Sequence, residues 1–135
     1  IDYSKDVYLQ FAKSVGGIQQ IYELYYETVK KSIQVSLGHY KPTRIGHPTL
    51  IHKFQLAHNE KIQDDELIKQ TLLAIQQAGY SIDFNSAGLS KAFCLQTYPP
   101  LEYLHYINEI KLPYVFGSDA HVVVDLHQHY DIVYK

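Results

Sequence analysis

Three short apolar runs set between helical patterns constrain this chain more than any other feature. They are Thr43 to Gly46, Tyr80 to Phe84 and Tyr114 to Gly117, and each reads as a short strand. From Gly16 to Gly38, Ile18, Ile21, Tyr22, Tyr25, Val29 and Ile33 recur at helical spacing and give one apolar stripe. Glu27 and Lys31 form an exposed i,i+4 pair there, with Gly38 as the closing residue. A second helix is predicted from about Asp65 to Ala78, with Asp64 as N-cap and Ile68, Leu72 and Ile75 facing inward before Gly79. A third starts at Pro99–Pro100, with Pro100 at its first position, and carries Leu101, Leu104 and Ile107 until Pro113 forbids continuation. Strands alternating with helices imply right-handed crossovers and a parallel sheet.

Three parallel strands are a poor place for such a sheet to stop, because parallel sheets are normally longer and covered on both faces. The pattern is therefore that of part of a barrel or of a larger sheet. The chain of 135 residues begins at Ile1 and holds no methionine, so it is expected to be part of a longer polypeptide. Its length suits a single domain.

Parallel α/β architectures collect ligands at the carboxyl ends of their strands. Here those exits carry His47 in RIGH, Asn85 in IDFN, and Asp119 with His121 in GSDAH. Asp119 and His121 are alternate residues, so on an extended chain they start on one side. Each residue has an ordinary reading as well. His47 precedes Pro48 in what could be a plain turn, Asn85 and Ser86 suit turns, and Asp119 could cap one while His121 faces solvent. Their shared rim is what points to a site. Carboxylate and imidazole without thiolate suit zinc, manganese or iron(II). The other histidines show no comparable convergence, and His127 and His129 in LHQHY read as a surface loop.

Several classes are excluded. A net charge of -2 without a basic stripe argues against nucleic-acid binding, and no apolar stretch is long enough to span a membrane. No P-loop, GxSxG elbow or GxGxxG occurs. The single cysteine, Cys94, fits a reducing cytoplasm and has no evident thiolate-lowering neighbour. The 13 tyrosines are expected to be packing residues.

The segments YYETVKKSI, GHYKPTRIGHPTLIHKF, IDFNSAGLSKAFCLQTYPP and PYVFGSDAH together resemble the C-terminal half of the histidinol-phosphatase branch of the polymerase-and-histidinol-phosphatase (PHP) superfamily. The resemblance implies a distorted seven-stranded β/α barrel of parallel strands with outer helices, of which residues 1–135 are the C-terminal part. It implies up to three divalent metal ions, with His47, Asp119 and His121 as ligands. It implies hydrolysis of L-histidinol phosphate to L-histidinol and phosphate by a metal-activated water, with no protein nucleophile, in cytoplasmic histidine biosynthesis. Asn85 and Lys91 are the candidate substrate contacts, toward a small phosphorylated substrate.

The family's opening HxH motif and ligand glutamate lie upstream of this stretch. Ser90 stands where the family tends to have an arginine, and Gln96 where it has an acidic residue. The segment VVVDLHQHYD replaces a glycine-containing one. Serine cannot give arginine's bidentate phosphate clamp, whereas Lys91 offers a point charge. Another PHP phosphoesterase, or a non-catalytic half-barrel assembly module, are the competing readings. If half a barrel, its barrel-facing side chains, expected to include Ile45, Ile82, Phe84, Val115 and Phe116, require the missing half or a second copy.

Overall fold

The computed structural model describes residues 2–134. The chain opens with α1 (Lys5–Ser14), which the sequence shows only as a helical pattern after a polar start. Ser4 Oγ accepts from the Val7 amide at 3.2 Å, and Asp6 and Lys13 complement the helix dipole at either end. Gly16 and Gly17, at φ 107° and 136°, turn the chain back into α2 (Ile18–Ser32). Tyr8 and Ala12 of α1 are buried with Ile18, Ile21, Tyr22 and Tyr26 of α2.

Helix α2 stops earlier than its apolar stripe suggests. Ile33 is its C-cap and Gly38 lies in the loop beyond, at φ 80°. The carbonyls at this end take donors from elsewhere: Lys41 Nζ donates to Ile33 O at 2.9 Å and also to Val35 O, and the Tyr80 hydroxyl donates to Ile33 O at 3.3 Å. With the helix end satisfied this way, a closing glycine is not required. Glu27 pairs with Lys30 at 3.0 Å, one residue before the expected partner.

The sheet has strand order β1-β2-β3, all parallel: β1 (Arg44–Ile45), β2 (Ser81–Asn85) and β3 (Tyr114–Gly117). Between β1 and β2 run a 3₁₀ stretch, Leu50–Ala57, and α3 (Asp65–Gln77). Between β2 and β3 run two 3₁₀ turns, Ala87–Ser90 and Leu101–Tyr103, and α4 (Leu104–Glu109). After β3 come a 3₁₀ turn, Val123–Asp125, and α5 (Tyr130–Val133). Pro100 caps the turn ahead of α4 rather than occupying a first helical position.

Asp64 stands at the N-cap position of α3, as the sequence suggests, but its side chain makes no capping hydrogen bond there. Its carboxylate accepts from the Tyr26 hydroxyl at 3.1 Å and lies 2.6 Å from His52 Nε2. A buried imidazole and phenol hold this carboxylate, leaving the first turn of α3 to Asp65 and Glu66.

The strand register corrects which face looks where. Ile45 lies opposite Ile82, which lies opposite Tyr114, and Phe84 lies opposite Phe116. These side chains belong to the core shared with the helices, in which Ile82 and Phe84 are fully buried. The alternate residues Arg44, Ser81, Asp83 and Val115 form the other face, away from that core. Of the five side chains expected to face a barrel interior, only Val115 is on this second face. An apolar strand residue can satisfy a helix layer as well as a lumen, so hydrophobicity alone does not assign the face.

The segment after β2 is tightly packed. A Cβ on Gly88 would lie 2.1 Å from the Gln96 carbonyl oxygen and 2.9 Å from Tyr98 Cζ. Gly88→Ala is therefore expected to cost about 1–3 kcal/mol, as overpacking does. Chemical denaturation checks this, and an unchanged midpoint would show that the 86–98 region yields freely.

Candidate functional site

The exits of β1 and β3 meet. After β1 the chain turns at His47, at φ 34°, and after β3 it turns at Asp119, at φ 49°. Both are non-glycine residues in the left-handed region, where only a few percent of such residues lie. A conformation costing about 1–3 kcal/mol persists where the surroundings enforce it, and such residues cluster at functional sites. His47, Asp119, His121 and Lys91 all line one recess of about 90 Å³, with Asp2, Lys53 and Tyr98 beside them.

Asp119 Oδ2 and His121 Nε2 are 3.8 Å apart, and His121 is open to solvent. Lys53 Nζ donates to Asp2 Oδ1 at 2.5 Å; this bond, outweighing partial burial, holds the Asp2 carboxyl below its usual range. The recess thus carries mixed charge: two lysines, two carboxylates and two imidazoles. Tyr98 is buried, and its hydroxyl has no hydrogen-bond partner among the described residues. Burial pushes this phenol well above its ordinary range, so it stays protonated near neutrality.

Asn85 is the predicted site residue that the recess leaves out. It is buried, donating Nδ2–H to Asp83 Oδ2 at 2.8 Å and accepting from the Ala87 amide at 3.0 Å through Oδ1. Its capacity is spent holding the loop that follows β2, so it stands behind the recess rather than in it.

Two imidazoles and one carboxylate are donors that zinc, manganese and iron(II) all accept, so the residue types fit a divalent metal. Their present spacing does not yet amount to a coordination sphere: among the described residues, no group of three or more His, Cys, Asp or Glu side chains is gathered to hold an ion.

The positions where the sequence departs from the resembled pattern are tied into local contacts. Ser90 Oγ lies 2.9 Å from His129 Nε2 and donates to Gln128 Oε1 at 3.0 Å. Gln128 Nε2 donates to Ser118 O at 2.7 Å, and Ser86 Oγ donates to Gln128 O at 2.5 Å. The HQH stretch is thus a strap joining the loops after β2 and β3; His127 is exposed, but His129 is anchored. Gln96 Oε1 lies 3.2 Å from His52 Nδ1. Cys94 is buried, and burial pushes its thiol up, as suits an inert packing residue.

Three recess residues escaped the sequence reading. Asp2 and Lys53 meet only through tertiary packing, and Tyr98 arrives through its bridge to Asn85. A fourth residue, Asp83, had a visible signal in its alternation with Asn85 along SIDFN, which places the two side chains on one face.

These features define a parallel α/β unit with an acid and imidazole recess at its strand exits. No family model matches the chain. It is 36% identical over 135 residues to the histidinol-phosphatase of Bacillus subtilis (strain 168), a match covering 97% of this chain and 50% of that protein, its C-terminal half. A crystal structure from Listeria monocytogenes, provisionally named as a histidinol phosphatase, superposes with a TM-score of 0.83 at 36% identity. That superposition covers 90% of this chain and 46% of the other. In sequence and in fold the chain is similar to half of a histidinol-phosphatase, and it spans about half the length of these relatives. Among the described residues no helix is long and apolar enough to cross a membrane.

Proposed function

We propose that this chain is the C-terminal part of a metal-dependent phosphomonoesterase that hydrolyses L-histidinol phosphate to L-histidinol and phosphate. One observation carries the reading: His47, Lys91, Asp119 and His121 line a single recess in a chain 36% identical to the C-terminal half of a histidinol-phosphatase. His47, Asp119 and His121 would hold a divalent cation, zinc, manganese or iron. Bound there, the cation would supply Lewis-acid activation of water and neutralisation of phosphate charge. Lys91 presents a point charge to the phosphate from the opposite loop, and Asn85 shapes that loop from behind. The protonated Tyr98 phenol keeps the recess wall neutral beside Asp119.

The remaining ligands and the rest of a PHP-type barrel would come from an N-terminal half. Strands β1 and β3 are the outer strands of the described sheet, each paired on one side, and among the described residues Arg44, Ser81, Asp83 and Val115 lie outside the buried apolar core. Such edges and faces need covering, which supports assembly with that half. A cytoplasmic place in histidine biosynthesis follows from the same reading.

The test is a phosphatase assay with histidinol phosphate and added divalent metal, on the 135-residue chain alone and on the same chain joined to the N-terminal half of a relative. The joined protein should release phosphate, and the isolated chain should have little activity. Full activity of a strictly monomeric isolated chain would overturn the dependence on upstream ligands. An inactive but folded and metal-loaded joined protein would favour a non-catalytic module.

A further inference from the structure

Asp83 lies at the centre of the recess's supporting structure, though it does not line the recess. It projects from β2 on the face away from the buried apolar core, bonded to the β1 exit and to the end of its own strand, with Gly117 of β3 close beside it. Asp83 Oδ1 accepts from the His47 backbone amide, and Oδ2 accepts from Asn85 Nδ2 at 2.8 Å. On the β3 side, Gly117 makes room for it: a Cβ there would lie 2.3 Å from Asp83 Oδ2. Gly117 is not in the left-handed region, so this close approach is what requires a glycine. One carboxylate thus fixes the turn that carries His47 and, through Asn85 and the Ala87 amide, the start of the loop that carries Lys91.

We infer that Asp83 is a positioning residue of the candidate site, holding the His47 turn and the 86–91 loop in register through its two carboxylate oxygens. The inference deepens the proposed function and rests on it only where metal affinity is concerned. An acceptor on each oxygen is needed, and the left-handed turn at His47 has no other bond to its amide among the described residues. Asparagine keeps the shape but turns one oxygen into a donor, which cannot receive from both amides.

The experiment uses the 135-residue chain and its Asp83→Asn, Asp83→Ala, Gly117→Ala and Asp83→Ala/Gly117→Ala variants, with His47→Ala as reference. The first readout is the metal-free amide: hydrogen exchange at the His47 N–H should accelerate at least ~10-fold in Asp83→Ala, which keeps no acceptor, at unchanged helical signal, as expected for loss of a protecting bond. The second is zinc affinity, which should fall about 10–100-fold, the range for a supporting partner of a metal ligand. Gly117→Ala should act in the same direction in the wild-type chain and add little in the Asp83→Ala background, because its clash partner is gone. Unchanged exchange and zinc affinity in Asp83→Ala would overturn the inference. If His47→Ala leaves zinc binding unchanged, the metal reading of His47 fails, and the exchange data alone then decide the role of Asp83.

Discussion

Replacing Asp119 with asparagine in the joined, metal-loaded protein is expected to abolish turnover while leaving the fold in place. The loss should exceed about 100-fold, the upper range for residues that merely support a ligand. On the proposed reading, the change removes the carboxylate charge that Asp119 would contribute to the cation. Metal affinity and the stabilisation of charge during phosphate release both depend on that charge. The fold should survive for a local reason. Asp119 sits at φ 49°, and asparagine tolerates the left-handed region as readily as aspartate does. Its carboxylate is half exposed and lies 3.8 Å from His121 Nε2, so little packing depends on it. Alanine at the same position would add backbone strain and confuse the result. Turnover, bound metal and thermal midpoint should be measured together on one preparation. Wild-type turnover with unchanged metal content would rule out a ligand role.

Much of the fold was legible because its local signals agree. The runs at Tyr80 and Tyr114 became β2 and β3 within a residue or so, and Asp65–Gln77 followed its apolar stripe closely. Short-range signals failed where a distant side chain took over a local job. Lys41 and Tyr80 satisfy the end of α2, so Gly38 is not its cap. Tyr26 and His52 claim the Asp64 carboxylate, so Asp64 holds the N-cap position of α3 without a side-chain capping bond. The rim was legible for a topological reason: successive parallel strands deliver their exits to one edge, which is how His47, Asp119 and His121 come together. What topology does not say is which exit residues face the recess and which brace it. Asn85 and Asp83 alternate along β2 and turn to one another, and the choice between contacting and bracing depends on Gly117, a strand away. The sequence shows the glycine but not the carboxylate it accommodates.

The chain's tyrosines lead to its largest expected stability change, which lies at high pH. Tyr8, Tyr22, Tyr26 and Tyr98 are all at most 2% exposed. Burial is the leading cause in each case: it pushes the Tyr8 phenol from 10.0 up to about 12, and those of Tyr22, Tyr26 and Tyr98 higher still. Tyr26 is further discouraged from ionising by the Asp64 carboxylate it donates to. The sign of the linkage is fixed by which state holds its protons longer. Below pH 10 all four phenols are protonated in both states, and their contribution is fully present. Above it the unfolded chain releases protons that the folded chain retains, so stability falls as pH rises. Each group removes about 1.4 kcal/mol per pH unit, and four together remove on the order of 5 kcal/mol per unit. Net stabilities of domains are about 5–15 kcal/mol, so the fold should be lost cooperatively between about pH 11 and 13. The tyrosinate absorbance of the buried phenols should rise together with the loss of far-UV circular dichroism in a single transition. Tyr8→Phe removes one of the four groups and should flatten the fall by about 1.4 kcal/mol per pH unit. If all the tyrosines ionise by pH 11 with the circular dichroism intact, the buried phenols are not held protonated by the fold.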